Sequence, residues 1–79
     1  MKAKIIGLKD SKFTPQDSGR EIVGKTLYIV YPAEHVEGFR CESVFASLQR
    51  FVNGYVPKVN DEIVIEYNRY GKPDAIYPA

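Results

Sequence analysis

The chain has one cysteine, one histidine, no tryptophan and no apolar run long enough to cross a bilayer. Each scarcity excludes something. A single thiol, Cys41, cannot close an internal disulfide. His35 and Cys41 together fall short of the four ligands a structural zinc site usually takes. A spanning helix needs about 18 consecutive apolar residues, and none are present. The opening MKAKIIGLKDS lacks the apolar core and cleavage signal of a secretory leader. A lone cysteine without an export signal fits a reducing compartment, so a cytoplasmic protein is expected.

The catalytic inventory is thin as well. Ser11, Ser18 and Ser47 are expected on loops and Ser43 on a strand, and only His35 could serve any of them as a base. His35 lies in an acidic loop, EHVEG, where a solvated ring is the plain reading. Cys41 and His35 could form a thiol–base pair, but nothing in their spacing demands proximity. A strand cysteine ordinarily behaves as a small buried hydrophobe. Glu34, Glu37 and His35 have no pattern that fixes a metal geometry. No P-loop, GxGxxG or HExxH motif occurs. Neither an enzyme nor a cofactor is expected, and no small-molecule substrate.

What the chain does have is apolar content of 44% and charged content of 27% in 79 residues, the balance of a single globular domain spanning 1–79. So short a chain buries a modest core, and a partner subunit is a common supplement. Net charge is +1, but it is unevenly spread. Residues 1–25 carry six Lys/Arg against three Asp/Glu, residues 26–66 three against six, and residues 67–79 two against one. If the ends meet in space they form a basic patch; sampling in a short chain would give the same unevenness.

Five strands are legible. Residues 2–8 (KAKIIGL) form the first. Residues 10–24 are rich in turn formers and suggest a hairpin arm or a flap. Residues 26–31 (TLYIVY) form the second strand, with large groups on both faces. Residues 39–45 (FRCESVF) alternate as a third. Residues 46–52 suggest a helical turn or two with Leu48, Phe51 and Val52 inward. Asn53-Gly54 marks a turn. Residues 63–67 and 75–77 form strands four and five, joined by a hairpin through Asn68-Arg69-Tyr70-Gly71-Lys72. The expected fold class is all-β, a small five-stranded OB-like barrel with a hairpin arm.

The remaining signal is aromatic and basic. Phe45, Phe51 and Tyr67 are the expected core rings. Phe13 in the arm, Tyr70 at the hairpin tip and Tyr55 in NGYVPK sit where a core is not expected, and Tyr28 is ambiguous. Cations stand near each: Lys12 by Phe13, Lys25 near Tyr28, Lys58 near Tyr55, Arg69 and Lys72 beside Tyr70. Single-stranded nucleic acid asks for this combination, since bases stack on exposed rings while Lys and Arg neutralise phosphates. The plain alternative is that each ring packs on its neighbours, Tyr70 folding onto its own sheet.

Taken in order, these elements resemble the helix-destabilising single-stranded DNA-binding proteins of filamentous phages and their relatives on bacterial mobile elements. A lysine-bearing first strand leads to Phe13-Thr14, then a glycine-bearing arm, SGREIVGK, then a strand mixing aromatics and aliphatics. An aromatic-Gly tip, Tyr70-Gly71, follows near the end. The likeness is in the order of elements, strongest at residues 13–25 and at the tip, and it does not extend to residues 32–57. It implies an OB-like barrel and a homodimer coating single strands, DNA rather than RNA, with little sequence preference and a role such as replication. It places phosphate contacts on Arg20 and Lys25 and a stacking ring at Tyr28, with Leu27 the other candidate for that position. It makes Tyr70 a ring that completes a partner subunit's groove. The acidic middle departs from the strong positive excess that phosphate neutralisation calls for. A protein-interaction barrel without nucleic-acid binding is the competing reading, since such folds host many functions and Tyr is enriched at interfaces.

Overall fold

The computed structural model describes residues 1–17 and 19–79. Ser18, among the serines weighed above, lies outside them. The chain is all-β: β1 Lys2–Phe13, β2 Ile22–Tyr31, β3 Arg40–Ser47, β4 Glu62–Tyr67 and β5 Pro73–Pro78. They form one antiparallel sheet in the order β3-β2-β1-β4-β5. β1 is the spine. Its first residues pair with β4 (Lys2↔Val64, Ala3↔Ile63), and almost its whole length pairs with β2. The pairing with β2 runs out to Phe13↔Ile22, so the arm is a continuation of two strands. The turn-rich composition of residues 10–24 hid this, because Asp10, Ser11 and Gly24 are turn formers that lie within the paired strands, and the turn itself falls beyond Phe13, where Gly19 takes a positive φ of 65° and donates to the Pro15 carbonyl.

Alternation builds the core from facing pairs. Ile5 faces Ile29, Ala3 faces Ile63 and Ile65 faces Ile76, and all are buried. Leu27 faces Val44, and Leu8, Tyr31 and Tyr55 pack against the cluster from its rim. Each fully buried Ile or Leu contributes about 1.5–3 kcal/mol relative to exposure. Leu27 and Ile29 thus fix the buried face of β2, and Thr26, Tyr28 and Val30 look outward.

The sheet stays open. Among the described residues no ladder joins the edge strands β3 and β5, so the expected closure into a barrel is not seen. After Ser47 the chain leaves the sheet in a 3-10 turn, Leu48–Arg50, and a second follows at Val52–Gly54. Phe51, between them, meets β5 in an isolated parallel bridge to Ile76, and Arg50 reaches Asp74 of β5 at 3.3 Å. Phe51 is buried as expected, but Leu48 and Val52 are exposed. A two-turn helix would have placed all three on one stripe; two short turns interrupted by Asn53 at φ 54° turn only Phe51 inward.

Other expectations also change. Cys41 is exposed rather than buried. In register it faces Val30, and Phe45 faces Thr26, on the outer side of the sheet, while Glu42 and Val44 face the buried Ile29 and Leu27. Apolar groups on both faces of FRCESVF concealed which one was inner. Phe45 is therefore half-buried on the outside, and Tyr67, at the end of its ladder, is exposed. Tyr55, expected outside the core, is half-buried with its ring 6.4 Å from that of Phe51. Ser11 lies on β1, not a loop.

Candidate nucleic-acid interface

The outer face of β1, β2 and β3 carries most of the cation-and-ring chemistry. A β-bulge puts it there. Register slips between Ile5↔Ile29 and Gly7↔Tyr28, leaving Ile6 as an extra residue in β1. Such an insertion resets which side chains share a face. Lys4 faces Val30 and Lys9 faces Thr26, and both therefore project outward.

Two glycines floor the rings of this face. A side-chain carbon on Gly7 would lie 3.4 Å from Cδ2 of Tyr28, so the tyrosine ring leans across Gly7. One on Gly24 would lie 2.8 Å from Cζ of Phe45 and 2.2 Å from the Ala46 carbonyl oxygen, so Phe45 rests on Gly24. Glycine at these positions lets a ring lie close to the backbone, with one flat side available.

Between the rings runs a shallow groove of about 570 Å³ lined by Lys9, Ser11, Lys12, Phe13, Thr26, Tyr28, Ser43 and Phe45. Three rings, the Lys9 ammonium and three hydroxyls meet there, Lys12 borders it from a position that alternates to the other side, and no carboxylate lines it. Ser11 and Thr26 share a hydrogen bond of 2.7 Å, which orders the floor. Tyr28 is 39% exposed and Phe13 more so. Lys12 reaches Glu21 at 3.8 Å, a solvent-exposed pair of small energetic weight. Lys9 makes no ion pair among the described residues.

Of the expected binding residues, Phe13 and Tyr28 are brought together here, and Lys12 borders the groove from a position that alternates to the other side. Arg20 is exposed in the turn at the end of the arm. Lys25 is not on this face. It sits beside Leu27 in alternation and faces Asp10 across the ladder, bonded to that carboxylate at 2.6 Å with its side chain only 19% exposed. Arg69, Tyr70 and Lys72 are elsewhere too. β4 passes β1 at the latter's N-terminal end, where Ile65 N donates to the Met1 carbonyl, and the tip lies beyond that point. The arm is the other end of β1.

The tip is a built turn. Asn68 Oδ1 accepts from the backbone N–H groups of Tyr70 (2.9 Å) and Lys72 (3.1 Å), and Gly71 takes φ 75°. Tyr70 is 72% exposed and does not fold onto its own sheet. The Arg69 guanidinium stands 5.1 Å from its ring centroid, a cation–π contact that covers one flat side.

Lys2, Lys4, Lys9, Phe39, Ser43 and Phe45 were not among the expected binding residues, and Phe45 was expected in the core. The alternation Phe39, Cys41, Ser43, Phe45 was visible, but its outward direction was not. Lys4 and Lys9 have unlike positions in a simple two-residue repeat, and only the bulge unites them.

On the inner rim Tyr31 donates to Glu42 (3.0 Å) and Tyr55 to Asp61, and on the outer side of β4 and β5 Tyr77 donates to Glu66 (3.1 Å). Burial first, then the bond to Asp61, pushes the Tyr55 hydroxyl well above the ordinary phenol range. Tyr31 and Tyr67 are raised mainly by desolvation, and Tyr77 mainly by its bond to Glu66. The phenols of Tyr31, Tyr55 and Tyr77 stay protonated and serve as donors. Among the described residues no three metal-ligating side chains gather, and no helix is long and apolar enough to cross a membrane. His35 is exposed in the loop between β2 and β3, with φ 63°.

No family model matches the chain, and neither a curated protein nor a solved structure matches it.

Proposed function

We propose that the protein is a non-enzymatic binding module for single-stranded nucleic acid, with DNA favoured, and that the strand lies across the outer face of β1, β2 and β3. The observation that carries this reading is the groove in which Phe13, Tyr28 and Phe45 gather about Lys9, with Lys12 at its edge and no carboxylate in its lining. Bases stack on such rings without regard to sequence, each worth about 1–3 kcal/mol. The lysines neutralise phosphates, and the serine and threonine hydroxyls offer hydrogen bonds that any strand can use. Tyr70 and its neighbouring cations act at a separate point, on a strand leaving the face or on a second copy of the chain in a homodimer. The modest net charge supports moderate affinity and function at high protein concentration.

The test is intrinsic tyrosine fluorescence titrated with oligothymidylate and with oligouridylate, at low and moderate salt. Saturable quenching that weakens in salt and is blunted in Tyr28→Ala supports the reading, and tighter quenching by the deoxy strand supports DNA. A flat titration at low salt ends it. The competing reading, a protein-interaction module, is favoured by one feature: Leu48, Val52, Val56 and Val59 are all exposed within twelve residues. A flat titration would direct attention to that segment.

A further inference from the structure

A second groove, of about 480 Å³, lies on the same face and against the N-terminal half of β1. Ile6, Val30, Pro32 and Phe39 make its apolar wall, and Lys2 and Lys4 stand along it with Glu62 and Ala79. It continues the first groove in line. Val30 and Tyr28 are two residues apart on the outer face of β2, and the Tyr28 ring over Gly7 marks the junction. Phe39 is 68% exposed, a large ring with nothing covering it. Neither Lys2 nor Lys4 makes an ion pair among the described residues. Glu62 faces Lys4 across the ladder and offsets part of its charge, which leaves Lys2 the stronger phosphate position.

We infer that this groove is a second subsite for the same strand, in which Phe39 takes a base and Lys2 and Lys4 take phosphates; the inference rests on the nucleic-acid reading above. Three things favour a strand as its occupant. The chemistry repeats that of the first groove, a ring beside lysines. The two grooves are collinear along β1. The outward cations of both are drawn from one strand, at Lys2, Lys4 and Lys9. At roughly 3.3 Å per residue the path from Lys2 to Phe13 is on the order of 35 Å. Stacked bases rise about 3.4 Å per nucleotide, so the path holds up to about ten nucleotides, within the range of roughly 4–16 known for such domains. One groove alone would hold about half of that.

The consequence is a length dependence that the two grooves divide between them. Fluorescence anisotropy would be read on labelled oligothymidylates of roughly 4 and roughly 16 nucleotides, the ends of that range. The wild-type chain would be compared with Lys2→Gln/Lys4→Gln and with Phe39→Ala, circular dichroism confirming that each is folded. All three positions are exposed, so folding should be retained. On the long strand Phe39→Ala should weaken binding about five-fold or more, the lower end of a stacking contribution. The lysine pair should flatten the plot of log affinity against log salt by about 1.4, at about 0.7 per phosphate released on single strands. On the short strand, which one groove accommodates, both variants should match wild type. Variants that match wild type on the long strand overturn this inference and leave the first groove standing. Equal losses on both lengths also overturn it, because the residues would then belong to one undivided site. No binding by wild type at either length defeats both readings together.

Discussion

Adding one methyl group at two glycines should shift stability in opposite directions. Gly7 and Gly24 both lie in strands and neither has a positive φ. At Gly7 the new carbon meets only the Tyr28 side chain, no closer than 3.4 Å, which is an ordinary contact. Gly7→Ala removes the excess freedom of glycine in the unfolded chain and should be neutral or stabilising by about 0.4–1 kcal/mol. At Gly24 the new carbon falls 2.2 Å from the Ala46 carbonyl oxygen and 2.9 Å from its carbon, nearly an ångström inside any tolerated approach. The obstacle is backbone, held in the ladder at Lys25↔Ala46 and Gly24↔Ser47, so no side chain can swing away. β2 and β3 must separate locally. Overpacking of this kind costs about 1–3 kcal/mol, a large share of what a small domain has. For a domain of this size each kcal/mol moves Tm by about 4–8 °C, so Gly24→Ala should melt on the order of 10 °C below wild type. Urea and thermal unfolding followed by circular dichroism would measure both. If Gly24→Ala lies within about 0.5 kcal/mol of wild type, or the two variants move together, the close approach of β2 to β3 and the seat of Phe45 are wrongly described.

Alkaline pH should expose the tyrosine donors. Folded-state pKa values raised above the unfolded value of about 10 give stability that is whole below that pH and lost as pH rises through and beyond it. The urea midpoint should therefore fall above pH 10, and fall less in Tyr55→Phe, whose baseline at neutral pH is lower by about 1–2 kcal/mol for the lost bond to Asp61. An equal fall in both proteins would remove Tyr55 from this role. Cys41 faces the same side as Val30 and is exposed, so saturating oligothymidylate should slow its alkylation several-fold; unchanged labelling of a bound complex would place the strand elsewhere. Asn68→Ala leaves the N–H groups of Tyr70 and Lys72 without their acceptor and should cost about 1 kcal/mol while speeding amide exchange at the tip. Exchange unchanged from wild type would show that Gly71 alone holds the turn.

The five strands were readable because β-branched and aromatic runs are bounded by Gly, Pro and Asn, and these local preferences agree with the sheet that forms. The path of β1 beyond Leu8 was not readable, since Asp10, Ser11 and Lys12 are poor strand formers held there by pairing with β2. Which face of residues 39–45 is inner was equally hidden: Phe39, Cys41 and Phe45 outweigh Val44 in apolar surface, yet register with Leu27 decides for Val44. Closure failed for a similar reason, because nothing local in residues 46–52 separates two brief turns from a helix. Among expected site residues, Phe13 and Tyr28 meet because they sit on one face of adjacent strands, with Lys12 only at the edge of their groove. Lys25 is one residue out of step with Tyr28 and so belongs to the other side. Tyr70 was legible as exposed, because the turn chemistry around it needs no ring.

The extra residue at Ile6 makes the outer face a matter of counting. Ahead of it, even-numbered side chains look outward; behind it, odd-numbered ones do. Deleting that one residue would bring Gly7 directly after Ile5, outward after inward, so both halves of β1 would keep their faces and only the bulge would be lost. Deleting Ser11 instead would break the count behind the bulge: with Leu8 held inward and Lys9 outward, Phe13 would pass to the other side of the arm. That one-codon deletion, without touching any charged or aromatic residue, would take a ring from the surface while leaving the composition of the chain almost unchanged. Loss of a codon in the arm tip beyond Phe13 would only shorten a loop. The tolerance of this small domain to insertions and deletions is therefore set by frame within β1, and a scan of single-residue deletions would show a sharp boundary where the strand ends.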